Sequence, residues 1–88
     1  MTIMVDELRV FPGARFPFSS GSCHLTTDGP LEELHEFAAR LGLKREWFQQ
    51  HRLAPHYDLT IKLRARAIER GAIEVSAREQ AKRRRSGH

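Results

Sequence analysis

The chain has 88 residues, of which 40% are apolar and 30% charged, a size and balance that suit one soluble folded domain and exclude a two-domain enzyme built around an interdomain cleft. No apolar run reaches the about 18 residues that a membrane span requires. A single cysteine, Cys23, excludes an internal disulfide framework and a zinc ribbon. The net charge of +4 is unevenly placed: residues 1–75 carry ten basic and ten acidic side chains, whereas residues 76–88 carry Arg78, Lys82, Arg83, Arg84 and Arg85 against Glu79.

Thr2–Asp6 is short and β-prone and reads as a buried strand ending at Asp6. No basic stretch precedes it, so no signal peptide is expected and a reducing, cytoplasmic setting fits the lone cysteine. From Val10 to Ser22 the prolines, glycines and serines predict a loop, yet it carries Phe11, Phe16 and Phe18, which suggests packing over the core or a flap. Ser22–Thr26 reads as a second strand with Cys23 and Leu25 on one face and His24 on the other. Cys23 is therefore expected to be a small buried apolar residue rather than a nucleophile paired with His24.

A helix follows. Asp28 or Gly29 is placed to cap it, Pro30 suits its first turn, and Glu32 and Glu33 complement the positive end of the dipole. Leu31, Leu34, Phe37, Ala38 and Leu41 form one apolar stripe, and Gly42 is placed to end it. Lys44–Gln49 reads as a short helical turn whose Trp47 and Phe48 are expected to pack behind this helix. Gln49–Pro55 is loop-like and His56–Leu59 extended. Thr60 is a good cap for a second helix, with Ile61, Ala65, Ile68 and Ala72 as its predicted buried stripe, widened by Leu63 and Ala67. Gly71 stops it, and Ala72–Val75 reads as a closing strand. Ser76 and Glu79 fit a capping box at the start of a basic tail, residues 76–88, that reads as a frayed helix or disordered. The expected fold is a single small α/β domain over residues 1–75: a sheet of three to four strands, two main helices packed against it, and a flexible basic C-terminal tail. The strand–helix–strand steps favour some parallel pairing.

Val5-Asp6-Glu7, Cys23-His24-Leu25 with Asp28, Leu34-His35-Glu36-Phe37-Ala38, the Leu41–Gln49 segment, Pro55-His56-Tyr57-Asp58-Leu59-Thr60 and Gly71–Val75 together resemble a family of short bacterial and phage proteins catalogued as domain of unknown function 4031. The resemblance covers most of residues 3–75, with the basic tail beyond it. It implies a bacterial or phage setting and carries no activity.

Five histidines in 88 residues is a rich count. His56 and Asp58 share a side of an extended stretch, Asp6 ends the first strand, and ligands of open α/β sheets bind at strand ends, so Asp6, His24, His56 and Asp58 are expected to meet at one edge. His35 borders the apolar stripe and joins them as a candidate. Such a set suits proton transfer by a histidine whose tautomer a carboxylate holds. A divalent metal that activates water is the second chemistry and the less favoured one. Arg9, Arg15, and Lys62 with Arg66 on one helix face are candidates for holding phosphates, and Lys82, Arg83, Arg84 and Arg85 form a run that attracts polyanions. These residues point to a hydrolase-like protein acting on a nucleotide or nucleic acid. The alternatives are a noncatalytic nucleic-acid or protein-binding module with a basic tail, and a small interaction protein with no ligand.

Overall fold

The computed structural model describes residues 2–10, 12–50, 55–76, 78–79 and 82. The elements run β1 (Ile3–Val5), β2 (Ser22–Thr27), α1 (Leu31–Arg40), a 3-10 turn (Arg45–Trp47), β3 (Tyr57–Thr60), α2 (Ile61–Glu69) and β4 (Ile73–Glu74). They form one mixed four-stranded sheet in the order β3-β2-β1-β4.

Parallel pairing was expected around the first helix, and the structure corrects this. β2 is antiparallel to both β1 and β3, with Leu25 opposite Val5 on one side and Tyr57 on the other. The antiparallel register places the end of β2 and the start of β3 at the same end of the sheet. The parallel pair is β1 with β4, Met4 opposite Ile73, and α2 lies in the crossover that leads to β4.

Strand alternation sorts the side chains into two faces. Val5, Cys23, Leu25, Tyr57 and Leu59 form one face. They join Leu34, Ala38 and Leu41 from around α1, and Ala67 and Ala72 from α2 and its end, in a single core. Both helices therefore cover this one face. The other face carries His24 opposite Asp58 and Ser22 opposite Thr60. Met4 opposite Thr26 lies on this face too, and both are buried with Ser22, whereas the side chains of His24 and Asp58 are about a third exposed.

Local chemistry explains the boundaries. Thr60 Oγ1 accepts the Leu63 N–H at 3.2 Å, which satisfies one of the free donors at the start of α2. Gly42 and Gly71 have φ of +87° and +107°, the left-handed conformation that ends each helix without a Cβ clash. Asp28 is not the cap of α1: its Oδ1 accepts the Thr2 N–H at 2.7 Å, and Pro30 occupies the cap position with no side-chain bond. Ser76 Oγ accepts the Glu79 N–H at 3.0 Å, as a capping residue should.

Three packing expectations change. The buried stripe of α2 is Leu63, Ala67 and Ile68, while Ile61 and Ala65 are exposed. Ile68 and Ala72 pack on the core as expected, and the core-facing positions before them are Leu63 and Ala67, two residues on from Ile61 and Ala65. Phe48 packs on the core but Trp47 is half exposed, with Lys44 Nζ 5.7 Å from its ring centroid. In the proline-rich loop Phe16 is 89% exposed and Phe18 partly buried, so Phe16 does not cover the core. Phe11 lies outside the described residues.

The corrected stripe gives a direct test. Ala67→Leu should cost about 1–3 kcal/mol through overpacking, whereas Ala65→Leu should change stability by less than about 0.5 kcal/mol. Urea unfolding of both variants measures this, and the reverse ranking would restore the sequence-based stripe.

Candidate His/Asp centre

Asp6, His24 and Asp58 occupy one row across three strands. Asp6 directly follows the Val5–Leu25 pair, and its N–H donates to the His24 carbonyl at 3.3 Å. His24 lies opposite Asp58 in the β2–β3 register. His56 precedes Asp58 by two residues on the same face, and its backbone pairs with Gln49 in an isolated bridge.

Asp6 is the buried end of the row, at 2% exposure. Its Oδ1 accepts the His24 backbone N–H at 2.7 Å and its Oδ2 lies 2.8 Å from His24 Nδ1. A carboxylate only accepts, so this bond places the imidazole proton on Nδ1 and leaves the lone pair on Nε2. Arg64 Nε donates to the Asp6 carbonyl at 2.9 Å, and its guanidinium also reaches Glu74 at 3.2 Å, tying α2 to the ends of β1 and β4.

His24 Nε2 points toward Asp58 Oδ1, 3.9 Å away, and His56 Nε2 lies 3.4 Å from the same oxygen. The two imidazole rings meet edge to face at 4.6 Å. Gln49 Nε2 donates to the other Asp58 oxygen, Oδ2. Hydrogen bonding from His56 holds the Asp58 carboxyl below the usual carboxylate range, and the Gln49 bond acts in the same direction. The side chains of His24 and Asp58 are about a third exposed and that of His56 mostly covered. The centre is thus backed by protein and open to solvent on one side.

The other candidates lie elsewhere. His35 is on the helix-covered side, with Nδ1 2.7 Å from the Tyr57 hydroxyl and its ring edge-on to Phe48 at 4.6 Å. Tyr57 sits between His56 and Asp58 in β3, so it faces the opposite way, and His35 is not brought to the Asp6–His24–Asp58 row. Burial lowers the His35 pKa from the ordinary histidine value, with Arg45 adding to the effect. Cys23 is buried in the core. Burial, helped by the Asp6 carboxylate, pushes its thiol up to about 12, which keeps it protonated and unreactive.

Among the proposed phosphate holders, Arg9 pairs its backbone with Ser22, opposite Thr60 and two residues along the strands from His24 and Asp58. Its guanidinium contacts Glu7 at 3.1 Å. Lys62 and Arg66 line a shallow depression of about 570 Å³ with Thr60, Leu63 and Ala65. Arg15 is exposed in the loop. Lys82 is exposed and helical, and Arg83, Arg84 and Arg85 lie outside the described residues. Among the described residues no helix is long and apolar enough to cross a membrane.

Sequence reading missed Gln49, Arg64 and Tyr57 as parts of this arrangement. Gln49 lies nine positions from Asp58, and its role depends on the chain doubling back at the isolated bridge. Arg64 stands off the helix face that carries Lys62 and Arg66, and that offset was the available signal that it faces inward.

The fold and the polar row define a small α/β domain with a His/Asp centre on the sheet face opposite its core cluster. The family described as "Protein of unknown function (DUF4031)" matches residues 3–87, and the chain belongs to it. The match runs through the basic tail, which the sequence resemblance had placed outside. No curated protein and no solved structure matches the chain.

The His35–Tyr57 pair predicts a pH effect on stability. The folded state resists protonating His35 while the unfolded chain takes a proton near pH 6.5, so stability should fall as pH drops below 6.5 toward the lowered folded value. Urea midpoints at about pH 8 and about pH 5.5 should differ less in His35→Gln than in the parent. An equal difference in both would remove His35 as a source of the slope.

Proposed function

We propose that the chain is a hydrolase acting on the phosphoester of a nucleotide or nucleic acid, with the His24–His56–Asp58 centre as the place where water is activated. The observation that carries this reading is the Asp6–His24 hydrogen bond at 2.8 Å, with Nε2 turned to the solvent-facing side beside His56 and Asp58. A histidine oriented by a buried carboxylate, next to a second carboxylate held ionised, is suited to take a proton from water or to fix the group that does.

The polyanionic substrate class is supported by position. Arg9 pairs its backbone with Ser22, two residues along the strand from His24, and Lys62 and Arg66 line a depression with Thr60, two residues after Asp58; these side chains offer donors for phosphate oxygens. The neutral balance of residues 1–75 means that attraction at this edge comes from local grouping of charge, not from a global excess. A bacterial or phage protein in the cytoplasm is the setting that accompanies this reading.

The test uses the full chain with a nitrophenyl phosphodiester, nucleoside triphosphates and short single-stranded DNA and RNA, each with and without added divalent cations. Turnover should fall by about 10²–10⁴ in His56→Asn and Asp58→Asn. The double variant Lys62→Ala/Arg66→Ala should raise KM with kcat kept. If no phosphoester is hydrolysed in any condition, the reading fails. Salt-sensitive oligonucleotide binding without turnover would then favour the noncatalytic binding module.

A further inference from the structure

We propose that His24, His56 and Asp58 form a binding site for a single divalent first-row transition-metal ion of the zinc or iron(II) type, with Asp6 and Gln49 as the groups that orient its ligands. The proposal uses the same side chains as the hydrolase reading but rests on metal binding, not on turnover.

One donor atom from each of the three residues lies within 4.8 Å of the other two. Donors about 2.0–2.2 Å from a zinc-sized ion at tetrahedral angles stand roughly 3.3–3.6 Å apart. The His56–Asp58 separation of 3.4 Å already meets this spacing, and the His24–Asp58 separation of 3.9 Å closes with a small side-chain rotation. Two of the three residues come from a rigid cross-strand pair, so little backbone adjustment is required.

The hydrogen bonds outside the trio decide the matter further. A histidine that binds metal through Nε2 must carry its proton on Nδ1, and it commonly donates that proton to a carboxylate. Asp6 makes this bond to His24 and is itself fixed by the His24 backbone N–H. Asp58 has one oxygen engaged by Gln49 and the other facing both imidazoles, which is the arrangement of a carboxylate that offers one oxygen to an ion.

The donor set selects the class of ion. Two imidazole nitrogens suit zinc, iron, cobalt or nickel, whereas magnesium and calcium take oxygen ligands. Three protein donors with a solvent-facing side leave at least one coordination position for water or substrate, unlike a closed four-ligand structural site.

The experiment titrates the full chain, freed of metal by chelator, with Co²⁺ followed by visible absorption, with Zn²⁺ competition and elemental analysis for stoichiometry. Mg²⁺ and Ca²⁺ serve as separate arms. One ion per chain is expected, displaced by Zn²⁺ and not by Mg²⁺ or Ca²⁺. His56→Asn and Asp58→Asn should lose the absorption that saturates in the parent. Asp6→Asn should weaken binding by about 10–100-fold, and His35→Gln should leave it unchanged. Circular dichroism of each variant separates lost binding from lost folding, and a rise in the parent's Tm with Zn²⁺ gives a readout that needs no variant. Absence of Co²⁺ binding and of any Zn²⁺-dependent Tm rise, or binding that survives in folded His56→Asn and Asp58→Asn, would overturn the site. Metal binding without turnover leaves the site standing and removes the hydrolase reading. Turnover by a metal-free chain in chelator, together with absence of Co²⁺ binding, removes the site and leaves the hydrolase reading.

Discussion

The hydrogen bond between the buried Asp6 carboxylate and His24 is the constraint on which the polar face depends. A carboxylate at 2% exposure must be fully engaged, because burial removes its water. Asp6 meets that requirement by accepting from both the backbone and the ring of His24. Hydrogen bonds of this charge-assisted kind contribute about 1.5–3 kcal/mol each and are costly to break on one side. The bond therefore does two things at once. It locks β1 onto β2 past the last regular pair, and it sets which imidazole nitrogen faces Asp58 and His56.

The two faces of the sheet divide the work. Helices α1 and α2 cover one face and supply the apolar burial that a chain of this size needs. The opposite face carries the charged row, with Asp6 buried and the side chains of His24 and Asp58 about a third exposed. Tyr57 links the two, lying in the core with its hydroxyl bonded to His35 while its neighbours His56 and Asp58 point the other way. Burial raises the Tyr57 phenol above its ordinary value, consistent with a hydroxyl kept protonated and available to donate to His35. Placement of β3 is thus secured from behind the centre rather than from within it.

Much of this was legible in the sequence, and the reasons differ by element. Period-two alternation in Ser22–Thr26 and His56–Leu59 put His24, His56 and Asp58 on a different face from Cys23, Leu25, Tyr57 and Leu59, and local chemistry at Thr60, Gly42 and Gly71 marked the helix ends. The rotation of α2 was not legible, because Ile61 and Ala65 are as apolar as Leu63 and Ala67 and only docking on the sheet distinguishes them. The antiparallel β2–β3 pairing joins segments far apart in the chain, which no local pattern encodes. For the same reason Gln49 was invisible as a partner of Asp58. Proximity of His35 to the apolar stripe was readable, but its side of the sheet followed only from its bond to Tyr57.

The central claim is that Asp6 holds His24 in the Nδ1–H form with Nε2 bare toward Asp58 and His56. Long-range ¹H–¹⁵N correlation spectroscopy of the imidazoles in the metal-free chain measures this at a pH where His24 is neutral. The account predicts a His24 ring protonated at Nδ1 in the parent and a shift toward the Nε2–H form in Asp6→Asn, whose amide can donate to Nδ1. A parent His24 already protonated at Nε2, or a tautomer indifferent to Asp6→Asn, would contradict it.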